Sequence, residues 1–319
     1  MSRLYSAGNN AVGVIENGGV RLSLEGRGAR CVAVDPEDPD TLYVGTSDEG
    51  LFKSEDGGET WQKLSGIEHS RVTAIAVSPA DGAIYAGTEP STLFVSRDGG
   101  GSWRELEDMK KLPSAPTWSF PPRPWTSHVR AIALSYTDPD LVVAGIELGG
   151  VLRSTDGGET WQDQRPGAQA DCHSLVAHPE DPRLLYESGG GGFARSRDFG
   201  DSWEAADEGM RLHYAWGLAV DAEDPSLVYA SAAPDPWRAH GRGFSGAAIY
   251  RRTPDERWEP LLEDLAAFPY ALCPDPVEPG TLYAGFGDGK VLRSQDTGQS
   301  WDEIGRVPSG LAALAAVAA

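Results

Sequence analysis

One pattern of eight residues, Ser-x-Asp-x-Gly-x-(Ser/Thr)-Trp, occurs five times in this chain of 319 residues and constrains its fold more than any other feature. The copies are Ser54–Trp61, Ser96–Trp103, Ser154–Trp161, Ser196–Trp203 and Ser294–Trp301. A degenerate sixth copy, Arg251–Trp258, keeps only the Trp of this pattern. The six Trp residues lie 42, 58, 42, 55 and 43 residues apart, and the shorter spacing is typical of a four-stranded propeller blade or of a helical pair.

The residues between the motifs favour strands over helices. Apolar runs such as Val72–Val77 and Ile84–Ala86 are short and are bounded by Pro, Asp and Gly. No stretch between two motifs keeps a helical period long enough for two helices. We therefore interpret each repeat as four strands, A to D, with the motif as the turn between strands C and D.

The side chains of the motif suit such a turn. Asp and Ser or Thr can form hydrogen bonds with turn amides, Gly can adopt a positive φ, and Trp can cover the apolar layer of the blade. We predict a structural role for the Asp residues of the five copies, which are Asp56, Asp98, Asp156, Asp198 and Asp296.

These motifs resemble the Asp-box, or BNR, repeat of sialidases, sortilin-type receptor domains, xyloglucanases and a photosystem assembly factor. The resemblance covers nearly the whole chain and implies a β-propeller in which the boxes are turns far from the active face. The catalytic residues of these families do not carry over. The Arg-Ile-Pro triplet of sialidases is missing, and the xyloglucanase-type enzymes use a cleft between two tandem propellers, whereas this chain has the length of one.

The number of blades follows from the repeats and from the two ends of the chain. Six blades begin near Cys31, Val72, Val129, Cys172, Ala215 and Pro269. The tail 310–317 matches a strand A, residues 3–6 match a strand B, and residues 11–15 and 20–24 match strands C and D. We predict an all-β fold, a single domain over residues 1–319 that forms a seven-bladed propeller, because closure by both termini removes open sheet edges. The alternative is six blades with a helical, Ala-rich tail.

Charge and composition exclude several classes of partner. The formal net charge of −21 repels phosphate backbones, so we expect neither nucleic acid nor an anionic membrane as a partner. Three cysteines cannot form a disulfide framework. The N-terminus lacks an apolar core of signal-peptide length, and the apolar tail is too short to span a membrane. We therefore expect a soluble, cytoplasmic protein.

Candidate ligand-binding residues cluster where strands A begin. The loops between strands D and A and between strands B and C share one face, which in propellers binds ligands over the central channel. Alignment of the strands A makes one position per blade equivalent, and the loops add histidines and glutamates near it. The candidates on this face are Arg30, His69, His128, Arg130, Glu147, His173, Glu187, His213, Trp216 and Tyr270.

Two readings of the histidines stay open. His128, His173 and His213 come from adjacent blades and could bind a divalent metal, with Glu147 or Glu187 completing the ligand set. They could equally be ring walls that form hydrogen bonds with loops, and no HxH or HExxH spacing supports the metal. The cofactor is otherwise unknown.

Two insertions, 107–128 and 232–246, account for the longer spacings and emerge on the same face. The first carries Trp118 and Trp125 among prolines, and the second carries Trp237 and His240. Exposed Trp rings can stack on sugars or other flat ligands. The same rings could instead pack the loops down as a plug, and we expect them to roof the site in either case.

Three functions fit these features. The first is a ligand-binding propeller for a small molecule or a carbohydrate. The second is a hydrolase or lyase that uses the His, Glu and Arg side chains, with or without metal. The third is a protein-assembly scaffold with a protein partner, which is what the resemblance to the photosystem factor implies. The sequence leaves open whether the chain is an enzyme.

Overall fold

The fold is a seven-bladed β-propeller, as the repeats predict. The computed structural model describes residues 2–120, 126–221, 224, 226–308 and 310–318. Each blade is an antiparallel sheet, and the strand order within each sheet follows the chain except in the blade that contains both termini. In the described part of the chain, no helix has the length and apolar character needed to cross a membrane.

Four blades precede residue 206 in the chain. Their strands are β4 (Ala29–Asp35), β5 (Asp38–Thr46), β6 (Leu51–Ser54) and β7 (Gln62–Lys63); β8 (Arg71–Val77), β9 (Ile84–Glu89), β10 (Leu93–Ser96) and β11 (Arg104–Glu105); β12 (Val129–Leu134), β13 (Val142–Ile146) and β14 (Gly150–Ser154); and β15 (Cys172–Ala177), β16 (Leu185–Gly189), β17 (Gly192–Ser196) and β18 (Glu204–Ala205). The third of these sheets has a single bridge, Arg153 to Gln162, in place of a fourth strand.

The other blades contain the remaining strands. They are β19 (Tyr214–Val220), β20 (Val228–Ala233), β21 (Ala247–Arg252) and β22 (Trp258–Leu265); β23 (Pro269–Pro274), β24 (Leu282–Phe286), β25 (Lys290–Ser294) and β26 (Asp302–Arg306); and β27 (Leu311–Ala318) with β1 (Ser2–Gly8), β2 (Val12–Glu16) and β3 (Gly19–Ser23). The insertions contain the 3₁₀ helices Glu107–Lys111 and Ala115–Thr117 and the short helix α1 (Pro236–His240).

Both chain termini build one sheet, in the order β27-β1-β2-β3. Strand β27 pairs antiparallel with β1, from Ser2 opposite Ala318 to Gly8 opposite Leu311. The predicted closure by both termini is confirmed, and the alternative of six blades with a helical tail is wrong. Pairing with β1 overrides the helix preference of the Ala-rich tail because it satisfies the edge of that strand.

Contacts between Cα atoms divide the chain into two compact units. The first unit comprises residues 1–29, 188–193 and 206–319, and the second comprises residues 30–187 and 194–205.

Each Asp box is a closed hydrogen-bonded turn. In the first copy, the Ser54 hydroxyl donates to Asp56 Oδ1 (2.8 Å) and accepts from the Gly58 amide (2.9 Å). Asp56 in turn accepts from the amide and the hydroxyl of Thr60, at 2.9 and 2.5 Å. Hydrogen bonds from Thr60 and Ser54 lower the pKa of Asp56 to about 2. Equivalent bonds to the Asp recur in the other four copies.

Glycines let successive blades approach closely. A Cβ atom on Gly87 would lie 2.6 Å from Val129 Cβ, and a Cβ atom on Gly145 would lie 2.3 Å from Cys172 Sγ. Both glycines lie in a second strand, and both neighbours belong to the first strand of the next blade. In β20 of the first unit, serine takes this position, and the Ser231 hydroxyl donates to the Pro269 carbonyl at 2.7 Å.

The first strand of five blades contains a β-bulge at one equivalent place. The register shifts in β8, β12, β19, β23 and β27, and the extra residues there are Thr73, Arg130, Trp216 with Gly217, Tyr270, and Ala312. These are five of the seven positions that the strand alignment makes equivalent. A bulge breaks the alternation of side chains and can re-aim one of them. The candidate side chains therefore stand where the backbone departs from regular pleating.

Candidate functional site

A buried histidine and a buried carboxylate form the centre of the candidate site in the second unit. His128 directly precedes β12, Glu147 directly follows β13, and the Glu147 amide donates to the His128 carbonyl at 3.3 Å. The two side chains meet at 2.8 Å, His128 Nε2 to Glu147 Oε2. Arg130, at the bulge of β12, lies with Nε 3.5 Å from the same oxygen. Burial works to raise the pKa of Glu147, but the His128 hydrogen bond and the charge of Arg130 outweigh it and lower the pKa to about 2.

The next blade adds a second histidine and a second carboxylate. His173 is the second residue of β15, and its Nε2 lies 3.3 Å from Oδ2 of Asp171, which precedes that strand. One carboxylate oxygen of Glu147, one carboxylate oxygen of Asp171 and one imidazole nitrogen of His173 lie within 4.8 Å of one another. We call His128, Arg130, Glu147, Asp171 and His173 the histidine–carboxylate cluster.

Three side chains of the cluster are buried, and two are partly exposed to solvent. The side chains of His128, Glu147 and His173 are 6, 9 and 0% exposed, respectively. Those of Arg130 and Asp171 are 21 and 27% exposed. One guanidinium and one carboxylate can therefore be reached from solvent, while the groups that hold them are shielded from it.

Glu187 lies in the same unit but in a different electrostatic environment. It lies within β16, is fully buried, and accepts a hydrogen bond from the Gln169 amide at Oε2 (3.0 Å). No N–H or O–H of the described residues reaches its Oε1, and its polar neighbour is the weakly donating Cys172 thiol. Burial raises the pKa of Glu187 to about 8, so the carboxyl is largely protonated at neutral pH.

The remaining candidates of the second unit have partners within or near their own blades. Arg30 Nε donates to Ser47 Oγ at 2.9 Å, and His69 Nε2 lies 3.3 Å from Thr92 Oγ1. Neither contact joins these two side chains to the histidine–carboxylate cluster.

The first insertion places aromatic rings beside the cluster. The Phe120 ring meets the His128 ring edge to face, with centroids 5.0 Å apart. Trp118 donates from Nε1 to Ser114 Oγ (3.0 Å), and its Cδ1 would lie 2.9 Å from a Cβ atom on Gly149, two residues after Glu147. Trp125, the other expected roof residue, lies outside the described residues.

The first unit contains an aromatic cluster of Tyr214, Trp216, His240, Phe268 and Tyr270. His240, at the end of α1, lies between two hydroxyls, with Nε2 2.8 Å from Tyr214 Oη and Nδ1 2.9 Å from Tyr270 Oη. The Trp216 ring meets the His240 ring at 4.8 Å, edge to face. These contacts fasten α1 to the starts of β19 and β23.

Two candidates of the first unit lie apart from that aromatic cluster. Trp237 is 84% exposed on α1. His213 Nδ1 lies 3.0 Å from Asp207 Oδ2, and the two side chains are 53 and 29% exposed. Of the three histidines expected to share a metal, His128 and His173 belong to the cluster in the second unit, and His213 belongs to the first.

Sequence reasoning did not anticipate three of these relationships. It missed the Cys172 thiol beside Glu187, the Gln169 amide that binds the same carboxyl, and Asp207 as the partner of His213. The strand alignment offered a signal for Cys172, because that residue directly precedes His173 in β15. A main-chain amide such as that of Gln169 leaves no signal in the sequence.

Comparisons with known proteins agree with the repeat and the fold. The family model for photosynthesis system II assembly factor YCF48 matches residues 29–121, and the model for the BNR/Asp-box repeat matches residues 152–163. An oligoxyloglucan-reducing end-specific xyloglucanase of Emericella nidulans is 36% identical over 73 residues. That match covers 23% of this chain and 8% of the enzyme, so the chain matches only a small part of this curated relative.

Solved structures resemble the chain over nearly its whole length. The GH74 xyloglucanase from Xanthomonas campestris superimposes with a TM-score of 0.67 at 18% identity, covering 95% of this chain and 46% of the enzyme. A structure of YCF48 bound to D1 peptide gives a TM-score of 0.64 at 18% identity, covering 90% of this chain and 84% of that protein. At such identities the likeness concerns the fold alone. Together with the five boxes and the seven sheets, it identifies the chain as a β-propeller built from BNR/Asp-box repeats.

Proposed function

We propose that this chain is a ligand-binding propeller whose site is the histidine–carboxylate cluster and whose ligand is a small molecule rich in hydroxyl groups, such as a saccharide. The observation that carries the proposal is the contrast within the cluster. Arg130 and Asp171 reach solvent, whereas the groups behind them are more than nine-tenths buried. Buried charges are costly unless they are paired, and a stable fold does not require them.

The exposed pair suits hydroxyl groups. The Asp171 carboxylate can accept hydrogen bonds from ligand hydroxyls, and the Arg130 guanidinium can donate to ligand oxygens. The buried groups behind them hold their geometry, because Glu147 contacts both His128 and Arg130. Such pre-organisation reduces the ordering cost of binding.

The aromatic residues beside the cluster support the same class of ligand. Phe120 and Trp118 are both half-buried and belong to the insertion that contacts His128 and the loop after Glu147. Sugars present apolar C–H faces next to hydroxyls, and binding sites combine aromatic rings with a few polar groups in this way. The curated relative that is 36% identical over 73 residues is named as a xyloglucanase, which supports a carbohydrate ligand.

Calorimetric titration of the purified chain with xyloglucan and cello-oligosaccharides tests the proposal. We expect saturable binding that falls at least about tenfold in Asp171→Asn and in Arg130→Gln, as loss of a charged hydrogen-bond partner implies. His213→Ala is the matched control, because it removes an exposed histidine paired with a carboxylate elsewhere. Equal affinity in all four proteins would refute the proposed site.

A second candidate function, a hydrolase, rests on a different observation. Glu147 is ionised and Glu187 protonated at neutral pH, and carboxyl groups with separated pKa values are what acid–base hydrolysis of glycosides requires. The full burial of Glu187 favours the binding function over this one. Incubation of the chain with aryl glycosides and with xyloglucan tests it. Product release that is lost in Glu147→Gln supports a hydrolase, and no release by the folded chain rejects it for these substrates.

A further inference from the structure

We infer that Glu147, Asp171 and His173 bind a divalent transition metal of the Zn²⁺ class, with His128 as a positioning residue. One carboxylate oxygen from each acid and one imidazole nitrogen lie within 4.8 Å of one another. Among residues 2–120, 126–221, 224, 226–308 and 310–318, no other set of three His, Cys, Asp or Glu side chains lies as close together. A small contraction would bring all three atoms to bonding distance of about 2.0 to 2.2 Å from a shared ion.

The donor set is appropriate for such a metal. Imidazole nitrogen with two carboxylates is a combination that Zn²⁺ and related ions accept. His173 is fully buried and Glu147 nearly so, which fixes two of the three ligands in place. Asp171 is 27% exposed, so the open side of the ion would face solvent or a ligand. Three protein ligands with an open position describe a reactive or ligand-binding metal site more closely than a closed structural one.

The balance of charges in the cluster favours a bound cation. The two carboxylates of the cluster, those of Glu147 and Asp171, outnumber its one guanidinium, that of Arg130. His128 Nε2, 2.8 Å from Glu147 Oε2, orients that carboxylate in the way that outer partners orient metal ligands. Arg130, 3.5 Å from the same oxygen, is the one neighbour in the cluster that opposes a bound cation. Removing the Arg130 guanidinium should therefore strengthen metal binding.

The metal site concerns the same cluster as the proposed ligand site but does not require a saccharide. Metal affinity is measured on the chain alone, and saccharide affinity can be measured on chelator-treated protein. Each proposal can therefore fail while the other stands.

The experiment titrates the chelator-treated, full-length chain with Zn²⁺ by calorimetry and with Co²⁺ by visible absorption. We expect one metal per chain and Co²⁺ bands of the intensity typical of four or five ligands. Asp171→Asn and His173→Gln should each weaken binding at least tenfold, and Arg130→Met should strengthen it at least threefold. His213→Ala and Asp207→Asn are matched controls, because they alter an exposed histidine–carboxylate pair that lacks a third ligand.

Several outcomes would overturn the assignment. They are an absence of saturable binding at millimolar metal, loss of binding in the His213 and Asp207 variants instead, or weaker binding in Arg130→Met. His173 is buried, so its variant is paired with Asp171→Asn, which alters a partly exposed side chain. If His173→Gln does not fold, as judged by circular dichroism, the Asp171 and Arg130 variants decide the question between them.

Discussion

The Nε2 atom of His128 lies 2.8 Å from Oε2 of Glu147, and both side chains are more than nine-tenths buried. This pair stabilises the ionised form of Glu147.

Because the pKa of Glu147 is lowered from 4.5 to about 2, its contribution to stability is present above pH 4.5 and is lost as the pH falls toward 2. Glu147→Gln should therefore unfold more easily at pH 7, by about 3 kcal/mol at most. Urea unfolding of both proteins from pH 2 to 7 measures this difference, which should shrink toward zero in acid. A difference that is constant with pH would contradict the assigned cause.

Glu187 should show the opposite dependence on pH. Burial raises its pKa from 4.5 to about 8, so its stabilising effect is present below pH 4.5 and is lost as the pH rises toward 8. Glu187→Gln should therefore match the parent near pH 4.5 and become more stable than it at pH 8, by up to about 4 kcal/mol. Urea midpoints at both pH values test this.

Glu89→Gln is the matched control and should only destabilise the protein, because Arg71, 3.5 Å away, loses its partner carboxylate. A Glu187→Gln protein that is less stable at pH 8 would refute the argument.

The glycine at position 145 should be essential for packing between blades. In Gly145→Ala the new Cβ would lie 2.3 Å from Cys172 Sγ and 3.2 Å from its Cβ, so the Cys172 side chain or the strand that carries it must shift. We expect a loss of about 1 to 3 kcal/mol, typical of overpacking. Gly243→Ala is the control, since no heavy atom beyond the glycine and its two chain neighbours lies within 4 Å of its new Cβ. Thermal unfolding of both variants compares the two positions, and equal midpoints would show that blade spacing does not depend on this glycine.

Within an Asp box, the buried serine should contribute more to stability than the exposed aspartate. Ser196 is 1% exposed and accepts from the Gly200 amide at 2.7 Å while donating to Asp198. Ser196→Ala leaves a buried amide without its partner and should cost about 1 to 3 kcal/mol. Asp198→Ala should cost about 1 kcal/mol or less, because solvent replaces bonds at an exposed group. Denaturant unfolding gives both values, and ligand or metal binding should be unchanged in each variant. The reverse order of the two losses would contradict this account.

Removal of strand β27 should expose the edge of β1. Strand β27 pairs with β1 along its whole length, and Leu311 is buried. A chain truncated after residue 310 should therefore aggregate or unfold at lower temperature, because unpaired strand edges associate. Light scattering during heating, together with gel filtration, compares it with the full chain. A monomeric truncated chain with an unchanged midpoint would show that β1 needs no partner.

The architecture could be predicted because its information is local and repeated. A box such as Ser54–Trp61 forms its turn from hydrogen bonds among residues at most four positions apart, so its sequence specifies its geometry. The seventh blade was equally predictable, because residues 310–317 match a strand A such as Val129–Leu134. The starts of β12, β15 and β23 fall at the residues that the alignment indicates.

The chemistry of the candidate site depended on the tertiary structure. The strand alignment made Arg130 and His173 equivalent, but it could not tell that the carboxyl group of Glu147 lies near Asp171 and His173 while that of Glu187 lies buried beside a thiol. Two buried glutamates of successive blades thus have pKa values of about 2 and about 8. Repetition in the sequence determines where a strand begins and which way it turns. Burial and the distance to a charge arise only when residues far apart in the chain come together, and those two quantities decide whether a carboxyl group is ionised, protonated or able to bind a metal.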